Sequence, residues 1–187
     1  MTSAFKTSAF PVLLAFGTLA CVGCGDDAGN GGVAGTDADA GSVCGPGETE
    51  SPNGVCIENV PCGVDIPTFK IGLQADGRDG IYAAKIVDAS PSPPKQFRND
   101  WVLDFVDADG KPATDITFDP DKVRTYMPAH GHPGYLPVKI EPLEEPGRFS
   151  MKDLNMWMPG PWEAQFPVSG PAGNDYVVFD VCITSLR

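Results

Sequence analysis

The sequence predicts an all-β protein, an antiparallel sandwich carried behind a flexible lead, and three observations point there. Its 19 prolines and 22 glycines are spread through the chain, leaving few windows long enough for an ordinary helix. Apolar and polar residues alternate over several stretches, the period of a strand with one buried face. Turn residues recur about every 8–12 positions, the spacing of a sandwich of about seven or eight short strands. A small barrel is the alternative closure of the same strands.

The amino terminus has the parts of an export signal. Lys6 is the only charged side chain before Asp26, and a mostly apolar stretch runs from Ala9 to Ala20. That stretch is too short to span a bilayer comfortably and has no basic flank to stop transfer, so residues 1–23 are expected to be cleaved. Cys21 and Cys24 both stand where a bacterial lipoprotein signal would be cut. Parity favours Cys24: of six cysteines, a cut there discards Cys21, acylates Cys24 and leaves Cys44, Cys56, Cys62 and Cys182, an even set suited to an oxidising compartment. An ordinary secretory signal without lipid is the competing reading. The expected location is the periplasm or outer membrane, with the lipid as anchor.

Residues 24–43 hold no aromatic, long aliphatic or basic side chain and cannot bury enough apolar surface to offset ordering entropy. A Gly-rich coil of that length would hold a domain on the order of 25 Å from its anchor. Losing Lys6 with the signal takes the net charge from −12 to −13. An acidic chain without a basic cluster is poorly matched to nucleic acid or anionic lipid heads.

Residues 44–66 form a Cys-rich lead-in and 67–187 the sandwich. The simplest pairing joins Cys44 to Cys56 and Cys62 to Cys182, clamping the lead-in to the last strand, although four cysteines allow three connectivities. A zinc site is the alternative use of these thiols, disfavoured by the absence of a close C-x₂-C pair. Within the domain the strongest alternation lies in Trp101–Val106, Trp162–Val168 and Val177–Ile183, with weaker strands expected at 68–75, 80–88, 122–127, 136–141 and 148–156. Asp107-Ala108-Asp109-Gly110-Lys111 fits a turn, since a calcium loop in that frame would start on Phe105 and lacks its closing glutamate.

One window concentrates chemistry. Apart from Met1, every methionine and both histidines lie between 127 and 158: Met127, His130, His132, Met151, Met156 and Met158. Thioether and imidazole together suit copper better than harder ions. Pro128 stiffens the first run and Gly131 lets both imidazoles face one point. If 154–158 is extended, Met156 and Met158 share a face. The bland use of the same residues is core filling and a solvated turn. No Gly-x-Ser-x-Gly, free cysteine or carboxylate pair suggests catalysis, so no enzyme is expected.

Asp107-Ala108-Asp109-Gly110, Met127-Pro128 with His130 and His132, Gly147-Arg148-Phe149, and Met158-Pro159-Gly160-Pro161-Trp162 before Glu163-Ala164 resemble the YtkA-like/FixH-like family of small exported β-domains, from about Thr68 to Thr184. The resemblance implies an immunoglobulin-like sandwich and, in some members, copper handling or oxidase assembly. By position it implies Met127, His130, His132, Met156 and Met158 as copper ligands. The lead-in and tether are additions to the family pattern, and Pro159 and Pro161 crowd its turn. The expected role is copper buffering or delivery to an envelope partner. The alternative is a metal-free module docking an envelope or membrane protein through an exposed Trp and Met patch.

Overall fold

The computed structural model describes residues 44–51 and 53–184. The expected signal peptide, the tether and the acylated Cys24 lie outside the described residues. In chain order the strands are β1 (Glu48–Glu50), β2 (Cys56–Glu58), β3 (Gln74–Asp76), β4 (Tyr82–Ser90), β5 (Phe97–Asp107), β6 (Thr117–Phe118), β7 (Arg124–Met127), β8 (His132–Pro133), β9 (Lys139–Pro142), β10 (Arg148–Met156), β11 (Gly160–Gly170) and β12 (Gly173–Ile183). Among the described residues no helix is long and apolar enough to cross a membrane.

The strand count corrects the expectation of seven or eight: among the described residues there are twelve. Each of the eight expected segments has a counterpart in β3, β4, β5, β7, β9, β10, β11 or β12. The four additional strands, β1, β2, β6 and β8, are two or three residues long, too short for alternation to announce them.

One sheet runs β3-β4-β5-β10-β9; the other runs β12-β11-β7-β8, with β6 following β7 along the same edge of β11. The two sheets face each other across a continuous apolar core, so the fold is an all-β sandwich. Trp101, Leu103 and Phe105 of β5 and Val177, Phe179, Val181 and Ile183 of β12 are all buried. Edge-on ring pairs bridge the layers, Trp101 to Phe179 at 6.0 Å and Phe105 to Phe166 at 6.5 Å between centroids.

Two local features set the site's surroundings. A bulge between Met151 and Leu154 shifts the register of β10 against β5, with Asp153 in the left-handed region at φ 63°. Strict alternation would put Met151 and Met156 on opposite faces; the extra residue turns both inward. Lys139 and Arg98 meet the Asp153 carboxylate at 2.7 and 3.3 Å. The turn at Asp107 forms as expected: the Asp107 carboxylate accepts the Asp109 and Lys111 amides at 3.0 and 2.9 Å, with Gly110 at φ 79°.

The lead-in is a β1–β2 hairpin. Disulfides join Cys44 to Cys56 and Cys62 to Cys182, the simplest of the three pairings, so no thiol is left there for zinc.

Candidate functional site

His130 and His132 lie at the end of the sandwich where β7 turns into β8, against the residues that follow β10 and open β11. The turn follows from its sequence. Met127 opposes His132 in the β7–β8 register, the amides of His130 and Gly131 return to the Met127 carbonyl at 3.2 and 2.9 Å, and Gly131 takes φ 68°, which costs glycine little.

This tight hairpin brings the two imidazoles together. Their rings lie nearly parallel, 11° apart, with centroids 5.9 Å from one another. His132 also stacks on Trp157 at 5.0 Å and meets the edge of Trp162 at 5.7 Å; Tyr135 covers Trp157 at 5.1 Å. Both imidazoles are half-buried, and each has its Nε2 shielded from solvent without a hydrogen-bond partner, as does Trp157 Nε1.

His132 Nδ1 lies 3.2 Å from the Pro133 carbonyl oxygen. A carbonyl can only accept, so Nδ1 is the donor in this contact, and in the neutral ring that leaves the lone pair at Nε2. That is the tautomer arrangement by which proteins aim a histidine at a metal.

The hairpin is fixed to β10 by close backbone packing. Thr125 Oγ1 donates to the Asn155 carbonyl at 2.5 Å, and the Asn155 side-chain oxygen accepts the Tyr135 amide at 3.0 Å. Gly134 fits between them: a Cβ there would stand 2.3 Å from both the Asn155 carbonyl oxygen and Thr125 Oγ1.

The sulfurs are placed differently from the imidazoles. Met127, Met151, Met156 and Met158 are all fully buried. Met127 reaches Gly160, where a Cβ would come within 2.7 Å of Met127 Cε and of the Val60 carbonyl oxygen from the lead-in. The chain leaves β10 at Met156, so 154–158 is not one extended run. Trp157 then stacks on His132, and the Met158 carbonyl accepts Trp162 Nε1 at 2.9 Å. Met156 and Met158 thus flank the aromatic wall from inside the core, and with all three tryptophans buried as well these groups form no surface patch.

Among the described residues, one three-membered group of His, Cys or carboxylate ligand atoms lies within 4.8 Å: Cys44, Glu48 and Cys56. Its two sulfurs are bonded to each other, so it offers no thiolate. No carboxylate or cysteine joins the histidine pair in such a group.

A polar residue missed in the sequence is Asp175, at the opposite end of β12. Its buried carboxylate accepts the backbone amides of Asp79, Ile81, Tyr82 and Tyr176 at 2.7–2.9 Å. Burial alone would raise its pKa, but those four amides together hold it below the ordinary aspartate value. Its signal was available: Asp175 is in phase with Val177, Phe179, Val181 and Ile183, a charge on a core-facing row.

No curated protein and no solved structure gives a significant match to the chain. Residues 78–166 match the family model described as YtkA-like, a span from the turn before β4 to Phe166 in β11 that takes in all five candidate ligands. Over that stretch the chain is similar to the YtkA-like family.

Proposed function

We propose that this protein is an exported, lipid-anchored cell-envelope protein that binds a copper ion through His130 and His132, with Met127 as the sulfur on the same hairpin and Met156 and Met158 as the sulfurs on either side of Trp157. The reading rests on one observation: two imidazoles held parallel with both Nε2 atoms shielded from water and unpartnered. Buried polar atoms ordinarily find a partner, and an ion is the partner that an imidazole lone pair and nearby thioethers suit best. The two disulfides fit an oxidising compartment.

The ion would be held by few ligands on a hairpin that is half-buried rather than enclosed, so an acceptor protein can take it by ligand exchange. The role is buffering or delivery to an envelope partner, and the reading assigns no catalytic step. An oxidant-controlled titration of the purified protein should give one copper per chain, lost in the His130→Ala/His132→Ala double variant. Retained binding in that variant would reject the assignment. Lipid attachment is tested by metabolic labelling with a radiolabelled fatty acid, which Cys24→Ala should abolish.

A further inference from the structure

We infer that the copper this site takes is the monovalent ion, selected by a donor set with too few and too soft ligands for Cu(II) or zinc and by the indole wall around His132. The inference rests on the copper reading above and adds the oxidation state.

Ligand number is the first argument. Zinc takes four ligands in tetrahedral array, and Cu(II) prefers square-planar or tetragonal sets of nitrogen and oxygen. Among the described residues no carboxylate or cysteine completes a three-ligand group with the two imidazoles. His132 stands against Trp157 and Trp162, and Met127 is its partner across the hairpin. Two imidazoles with or without a thioether satisfy Cu(I), a soft ion without a ligand-field demand for more.

Charge is the second. Both Nε2 atoms are out of water, and among the described residues no carboxylate or thiolate forms a three-ligand group with them. Desolvating an ion costs more as its charge rises, and an uncompensated divalent ion suffers most. A single positive charge is the one this wall tolerates.

The wall itself is the third. Trp157 runs within 26° of the His132 plane at 5.0 Å, so an ion bound in the imidazole plane stays beside an indole face, whose quadrupole attracts cations, tryptophan most strongly of the aromatic side chains.

The test is an anaerobic titration of the whole protein with Cu(I) against a chromogenic Cu(I) chelator, run beside Cu(II) and zinc titrations and followed by tryptophan emission. Expected are one Cu(I) per chain with quenched emission, and at least about a hundredfold weaker binding of Cu(II) and zinc. His130→Ala/His132→Ala should lose both signals. Trp157→Phe should weaken Cu(I) roughly three- to tenfold, its folding checked by circular dichroism. Cu(II) or zinc binding as tightly as Cu(I) overturns the monovalent inference and leaves a metal site standing. If neither Cu(I) nor Cu(II) binds, both readings are overturned. Unchanged Cu(I) affinity in a folded Trp157→Phe removes the indole from the account.

Discussion

The two ends of the sandwich treat buried polar groups in opposite ways. At one end the Asp175 carboxylate meets four backbone amides, binding the turn between β3 and β4 to the start of β12. Eight residues further along the same strand, roughly 27 Å at about 3.4 Å per residue, is the end where His130 Nε2, His132 Nε2 and Trp157 Nε1 have no partner. The first end is finished by the chain itself. At the second, three shielded nitrogens are left without a protein partner, the contrast on which the proposed copper site is built.

Substitutions can break this contrast, and the largest effect should come at the finished end. Asp175→Ala strands several amides near the core and should cost about 3 kcal/mol or more, read as a lowered urea midpoint. A cost below about 1 kcal/mol would mean that water replaces the carboxylate easily. Acid sharpens the point. Because the folded state holds this carboxyl below its ordinary value of 3.8, its contribution is complete above that pH and fades as the pH falls through the lower folded value. Asp175→Asn should flatten this part of the acid profile.

At the unfinished end, the corresponding effect comes from adding a ligand. Free Cu(I) at a hundredfold excess over Kd should stabilise the protein by about 2.7 kcal/mol, seen as a raised anaerobic melting temperature. Thr125→Val removes the hydroxyl that ties the hairpin to β10 and should cost about 1–2 kcal/mol, while weakening copper binding as the imidazoles lose their fixed spacing. The smallest change is the most diagnostic. His130→Leu/His132→Leu should leave the metal-free protein within about 1 kcal/mol of the parent, because no hydrogen bond to either Nε2 is lost. A large loss there would place the histidines among the structural groups.

Much of the fold was legible because one-sided burial writes itself into alternation. Trp101, Leu103 and Phe105 became β5, and Val177 to Ile183 became the inward row of β12. β10 was harder. Its bulge at Asp153 depends on Asp100, Lys139 and Arg98 arriving from other strands, and no local pattern encodes that. The meeting of the histidines could be read from Gly131 and their spacing. The depth of the sulfurs could not, because methionine fills cores and binds soft metals with the same side chain. Asn99, in phase with Trp101 and fully buried, spends its amide on backbone groups of Lys95, Phe97 and Leu154. Like Asp175, it shows that a polar residue in an inward row is a sequence signal whose partner only the fold reveals.

The Cys62–Cys182 bond spans 120 residues and encloses both sheets in one covalent ring. A protease that cuts an exposed turn such as Asp109–Lys111 therefore opens the ring without releasing a fragment. The nicked domain would migrate as one species until reduced, and its carboxyl-terminal half would stay fastened to whatever holds the amino-terminal side.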